Sequence, residues 1–395
     1  MAIIHNICIL TTYYDILGVD PKVEPELLRK AYRKLARSYH PDVNDHPGSH
    51  EQMAKINAAF ETLSDPVRRL EYDARLNGGR IEDPQVNSRN SYGNLTFNVQ
   101  LMQRLQEHKT PIYAVSFIPG TEELLASSFD NEIFMWDTQT ETSSGRIKLE
   151  GGAVSTIESI TKDHFFAAGC SENTVSTWNV VESSIHAGRM NAHEWVCSVK
   201  ASKDAAYIAF GTVSGKLCVI DTLTGETVLS TMAHEQSVTA LAWSADGKHL
   251  ASGSADATVK LWEIQTSTLY QSFTNVRSTV TALALSRDGE KLAVAAVDLS
   301  IRIFSLSGEG AVRVLFGHEK PIESLAFDPK SEFLASAGRD GLVYIWSSQG
   351  ELDHLKIRAS HQAINCVTFS PDGTKFVTGG LDKVLRIWRF EIESS

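Results

Sequence analysis

An excess of positive charge is missing from this chain of 395 residues. Lys and Arg number 37 against 48 Asp and Glu, a net charge of −11, which argues against general nucleic-acid binding because that rests on neutralising phosphates. Cysteine is sparse. Cys8, Cys170, Cys197, Cys218 and Cys366 are scattered, without a C-x-x-C pair, so buried reduced thiols of a cytoplasmic protein are expected, not a disulfide frame or a zinc site. No apolar run is long enough to span a membrane. Met1 to Leu10 lacks the basic start and small-residue cleavage site of a signal peptide. Residues 1–12 are expected to be a disordered tail, and a translation start nearer Leu10 also fits. Gly151-Gly152 and Gly379-Gly380 stand outside any phosphate-loop pattern, so neither a cofactor nor a metal is expected.

What the chain does have is a period. An Asp or its stand-in recurs every 42 residues at Asp130, Glu172, Ser214, Asp256, Asp298, Asp340 and Asp382. Six residues after each comes a large apolar residue: Trp136, Trp178, Ile220, Trp262, Phe304, Trp346 and Trp388. A fixed period of this size marks a repeat architecture. Within one period the text alternates as strands do. Val238 to Trp243 is followed by a turn at Asp246-Gly247, then Leu250 to Gly253, Val259 to Trp262 and Leu269 to Phe273. Four short strands per unit, seven times over, predict a β-propeller. The seventh unit ends at Arg389-Phe390 without a fourth strand, while Val99 to Leu105 has no unit of its own. That N-terminal strand is therefore expected to complete the last blade and remove an open edge.

The start of the chain has a helical period instead. Leu28, Ala31, Tyr32, Leu35 and Tyr39 share one face, and Lys30, Arg33, Lys34 and Arg37 the other. Pro25 fits the first turn and Pro41 should end the helix. A second helix is expected from the capping box Ser49 to Gln52, carrying Met53, Ile56, Phe60 and Leu63, and a short last one from Asp65-Pro66. The loop between the first two displays His40-Pro41-Asp42. From Asn77 to about Asn98 the text is polar, with Asn-Gly-Gly and Asp-Pro, and reads as a flexible tether.

These residues resemble known families. Tyr13 to Val19, Lys30 to Ala36, His40-Pro41-Asp42, Ala58 to Asp65 and Arg69 to Asp73 resemble the J domain of DnaJ-type co-chaperones over 13–76. The resemblance implies docking to a DnaK-type, seventy-kilodalton heat-shock ATPase through His40, Pro41, Asp42 and the basic residues Arg29, Lys30, Arg33, Lys34 and Arg37, with Asp42 triggering hydrolysis. No Gly/Phe-rich or cysteine-rich module follows, so a client must be held by something else or not at all.

The 42-residue units, over 99–395, resemble WD repeats. That family's tetrad is matched by His234, Ser252, Asp256 and Trp262 in the fourth unit, by His318, Ser336, Asp340 and Trp346 in the sixth, and by His361, Thr378, Asp382 and Trp388 in the seventh. The first unit keeps His108, Asp130 and Trp136, with Ser127 one residue out of register; the second, third and fifth are degenerate. Such a network, repeated, is a structural device and not a hydrolase triad. The resemblance places partner-binding positions at Phe129, Trp195, Arg339 and Leu381. The fold class expected is mainly β, a seven-bladed propeller with a small all-α domain ahead of it. The function expected is that of a non-enzymatic, monomeric co-chaperone whose propeller binds a client protein or peptide. The alternative is a scaffold whose J module only docks another protein.

Overall fold

The computed structural model describes residues 12–21, 23–39, 56, 59–60, 63–64, 69, 88–92, 95–140, 142–149, 154–161, 163–182, 184–307, 313–348 and 354–394. They fall into two compact units, divided between Asp83 and Pro84.

The first unit is helical. Helix α1 (Tyr13–Leu17) was not foreseen, and it is held by both ends. Thr12 and Asp15 form a reciprocal capping box, and Gly18 closes the C-terminus at φ +62°, where a Cβ would be strained. Helix α2 (Pro25–Tyr39) matches the expected span, with proline in its first turn. Tyr14, Leu17 and Leu28 are buried against Ile56, Ala59 and Leu63, and the Tyr32 and Phe60 rings stack at 4.0 Å. Arg69 ties the unit together. Its guanidinium donates to the Tyr14 hydroxyl at 3.0 Å and to the carbonyls of Pro21 and Val23 at 2.9 and 2.8 Å.

The second unit is a ring of seven antiparallel sheets, one per 42-residue period. This is the seven-bladed propeller. The first strands of successive blades pack beside one another, so they wall the central channel. In six blades the first strand slips register against the second at one equivalent place, for example between Val238 and Ala240 and between Ile364 and Cys366. A bulge re-aims a side chain, and the residues skipped by the shift are Tyr113, Cys197, Thr239, Thr281, Glu323 and Asn365. Neighbouring blades are stitched there: Thr239 donates to the Val280 carbonyl at 2.6 Å and Asn365 to that of Ile112 at 3.0 Å.

The hairpin turns repeat as well. Ser244 donates to Asp246 at 2.7 Å and accepts from the His249 N–H at 2.9 Å, with Gly247 at φ +70°. The same Ser-x-Asp clasp recurs at Ser202, Ser286 and Ser370. Apolar clusters sit mostly between blades, as where Ala251 and Leu261 of blade 4 meet Val280 and Val294 of blade 5.

Closure follows the expectation. Strand β2 (Leu95–Leu105) pairs antiparallel with the final strand Leu385–Ser394, from Leu95 opposite Ser394 to Leu105 opposite Leu385. One boundary needs correction. Strand β1 (Ser88–Tyr92) pairs with β2 as a fifth strand of blade 7, so residues 88–92 and 95–98, read as flexible tether, belong to the sheet. The rest of that tether, 77–87, lies outside the described residues, as do residues 1–11. The thiols are also less uniform than expected: Cys218 and Cys366 are buried, Cys170 is half-buried and Cys197 is exposed.

If β2 closes the ring, a fragment starting at Pro84 should unfold in one transition at a temperature close to that of the intact chain's propeller. A fragment starting at Pro111 should melt far lower or aggregate through the open edge of the final strand. Thermal unfolding with light scattering makes the comparison, and equal melting of the two fragments would contradict the closure.

Candidate functional site

Two surfaces stand out, one on each unit. On α2, Arg29, Lys30, Arg33 and Lys34 are exposed, while Leu28 on the opposite side is buried. Arg37 lies on the same helix. Spacing of three and four residues stacks these cations in rows along one face, producing a single-signed stripe suited to steering a charged partner. His40, Pro41 and Asp42 lie outside the described residues.

On the ring, the tetrads fix the loops of one face. In blade 6 the His318 ring meets Asp340 at 2.9 Å through Nδ1 and Ser336 at 2.8 Å through Nε2, and the Trp346 N–H donates to the same Ser336 oxygen at 2.8 Å. Asp340 also accepts from the backbone of Glu319 at 2.9 Å and Leu342 at 3.0 Å. Burial opposes its charge, but the His318 imidazole and these N–H donors outweigh that and hold its carboxyl below the usual range. Blade 4 repeats the network. His234 reaches Ser252 and Thr258, each at 2.8 Å, Trp262 donates to Ser252, and Asp256 accepts from Glu235 and Thr258.

Blade 7 departs from the expectation. His361 is not the tetrad residue, and its Nδ1 is buried without a hydrogen-bond partner. Ser360 occupies the place, donating to Asp382 at 2.6 Å, while Trp388 donates to Thr378 at 3.1 Å. The missing cation is supplied from elsewhere: Arg386, four residues after Asp382, pairs with it at 2.7 Å. Blade 5 uses the same substitution. Val276 stands in the His place, and Arg302 pairs with Asp298 at 2.8 Å. Both arginines are buried. Removing either would strand a carboxylate, a loss on the order of 3–5 kcal/mol for a fully buried pair and less at the partly exposed Asp298.

Blade 1 has a gap. Ala126 stands at the Ser position, and Ser127 turns to the Val154 carbonyl at 3.4 Å. The His108 ring and the Trp136 N–H are therefore buried without hydrogen-bond partners. His108 instead meets the edge of Phe134 at 4.6 Å between ring centres. Burial pulls its pKa down to about 4, against the opposing pull of Asp130 and Glu132.

The loops so pinned carry an apolar ring. Phe129, Val213, Val297 and Leu381 each precede the tetrad Asp position and are 40–52% exposed. The N–H groups of Val213, Val297, Arg339 and Leu381 bond to the carbonyls of Trp195, Thr279, Pro321 and Ala363, which places Trp195, 58% exposed, on the same face. All four expected positions thus share one surface. Phe129 packs on Tyr113 at 4.2 Å, and Arg339 is occupied by an ion pair with Glu323. Val213 and Val297 were overlooked, although stepping the period from Phe129 reaches both. Among the described residues no group of His, Cys, Asp and Glu could hold a metal ion, and no helix is long and apolar enough to cross a membrane.

Comparison with known proteins agrees with this layout. Residues 12–73 match the DnaJ domain. Residues 99–137, 225–263, 310–347 and 353–389 match the WD domain, G-beta repeat. The chain carries a DnaJ domain followed by WD repeats that form a seven-bladed β-propeller. Its DnaJ domain is 56% identical over 61 residues to a chaperone protein DnaJ from Acaryochloris marina, covering 15% of this chain and 16% of that protein. It is 58% identical over 62 residues to one from Carboxydothermus hydrogenoformans, again 15% and 16%. With one from Trichodesmium erythraeum it shares 51% over 71 residues, 17% of this chain and 19% of the relative. The chain thus spans less than a fifth of each relative's length. Both families are typically non-catalytic.

The stranded His108 makes a measurable prediction. Unfolded histidine protonates near pH 6.5 while the buried ring resists until about 4, so the unfolded state binds more protons in that window and stability falls as pH drops through it. The loss reaches roughly 3 kcal/mol at pH 4. Denaturant unfolding of the wild type and His108→Leu from pH 8 to 4 should show the two diverging below about 6.5, with the variant losing less. Parallel curves would contradict a buried neutral ring.

Proposed function

We propose that this protein is a co-chaperone in which the DnaJ domain recruits a DnaK-type heat-shock ATPase and stimulates its hydrolysis, while the propeller face holds the client or complex. The match of residues 12–73 to the DnaJ domain carries the reading, since it includes the His40-Pro41-Asp42 tripeptide. The exposed cations of α2 support it. A positive stripe beside a proline-stiffened carboxylate can set register on an acidic surface and present Asp42 to an arginine at small ordering cost. The apolar ring around Phe129 and Leu381 supports the second half, because half-exposed aromatics and aliphatics gathered on one face are features of protein interfaces. The chain itself acts as a switch on another enzyme.

Steady-state ATP hydrolysis by a DnaK-type chaperone tests this. The intact protein should stimulate turnover, and Asp42→Asn should abolish the stimulation. The double reversal Arg33→Glu, Lys34→Glu should raise the half-maximal concentration by about tenfold or more and remove most of its salt dependence. Stimulation by Asp42→Asn equal to that of the wild type would contradict the proposed trigger.

A further inference from the structure

Charge on the loop face of the propeller is not evenly shared. Glu172, Glu194 and Glu235 gather where blades 2, 3 and 4 meet. The Val196 N–H bonds to the Glu172 carbonyl at 2.7 Å, which sets Glu172 beside the Glu194-Trp195 loop. The N–H groups of Ala233 and His234 bond to the Gly215 carbonyl at 3.0 and 3.1 Å, which brings the Glu235 loop beside Val213. Glu172 and Glu235 are exposed and Glu194 half-exposed, and between them lie Trp195 and Val213, two of the most exposed apolar side chains on this face. The nearby cations are both half-buried: Lys216, and Lys260, whose ammonium donates to the Ala233 carbonyl. In the equivalent loops of the other blades, by contrast, Glu107 and Glu319 are offset by exposed Lys109, Arg277, Lys320 and Lys383. The described part of the face therefore has one acidic arc, and that arc holds its exposed tryptophan.

We infer that this arc is the docking point for a segment of another protein that presents a large apolar side chain flanked by Lys or Arg. The inference rests on the reading of the propeller as a protein-binding platform and names the chemistry of what it takes. Trp195 and Val213 supply contact area with little rotamer freedom to lose, since an indole anchor has only two torsions. The three carboxylates select sign: they attract flanking cations and repel an acidic segment, so they act on specificity and encounter rate more than on total affinity. The guanidinium of an incoming arginine could also lie over the exposed indole face.

The test uses the intact chain and three labelled peptides read by fluorescence anisotropy. One has a Leu-Phe-Leu centre flanked by arginines, one has the same centre flanked by glutamates, and one has the arginine flanks with a serine centre. The arginine-flanked apolar peptide should bind saturably and weaken as salt rises, with the other two weaker by about tenfold or more. Trp195→Ala, and separately the triple variant E172Q/E194Q/E235Q, should each weaken it by about tenfold or more, while K320Q/K383Q on the opposite arc leaves it unchanged. Both affected sites are exposed, and unchanged melting of the variants checks that the ring is intact. Equal affinity for arginine and glutamate flanks, binding indifferent to the Trp195 and glutamate variants, or no saturable binding would overturn the inference. Stimulation of the chaperone ATPase without peptide reads the DnaJ domain separately. If it persists while the peptides do not discriminate, the arc is refuted and the recruiting role stands.

Discussion

Everything in the larger unit depends on one strand pairing between distant parts of the sequence. Strand β2 supplies the fourth strand of blade 7 by lying along Leu385–Ser394, and the seven blades become a closed ring only through it. Closure leaves no blade without two neighbours, and the apolar clusters between blades depend on that. It also fixes topology: the chain leading to the DnaJ domain must leave the ring at blade 7, by way of β1. Residues 88–92 therefore belong to the ring and not to the polar stretch that precedes it. On the function proposed above, a partner on the loop face and an ATPase on the DnaJ domain would be joined by one chain, which would make their encounter intramolecular.

The polar core of the ring shows how a repeat tolerates loss of its own consensus. A buried carboxylate needs donors or a cation. In blades 4 and 6 a histidine meets it, and in blades 5 and 7 an arginine on the third strand reaches the same place. Blade 3 has Ser214 in place of the carboxylate and needs no cation. Blade 1 keeps its histidine but has alanine where the serine would be, leaving polar atoms buried without partners. In blades 4 to 7 the carboxylate always meets a basic side chain, whether histidine or arginine, so residue identity is secondary there, and blade 1 is the exception.

Much of this could be read from the chain because propeller blades repeat in register. The seven blades and the closing strand follow from the 42-residue step, and Phe129, Arg339 and Leu381 share one place in it, while the choice of that face, Trp195 included, came from the resemblance to WD repeats. Where the reading failed, residue type had been given precedence over position. His361 was chosen for being histidine, although the step from His318 lands on Ser360. Strand β1 escaped notice because Ser-Arg-Asn-Ser-Tyr has no apolar alternation; an outer strand of a blade buries little and is held mainly by its backbone ladder. Helix α1 was missed because five residues show no period, and it is defined by its caps. The acidic arc was illegible for another reason, since it arises between loops that only the folded ring brings together, whereas the arginine substitutes stand four residues after Asp298 and Asp382 and were within reach of the sequence.

The account's central claim is that one chain places an ATPase switch next to whatever the propeller holds. The most direct measurement compares the intact protein with an equimolar mixture of residues 1–83 and 84–395, using a propeller-binding partner and a DnaK-type chaperone with ATP. Bulk ATPase stimulation should be equal in the two cases. Chaperone loading onto the propeller-bound partner should be faster with the intact chain by about tenfold or more, as expected for a tethered switch. Equal loading by the intact chain and the separated halves would contradict it.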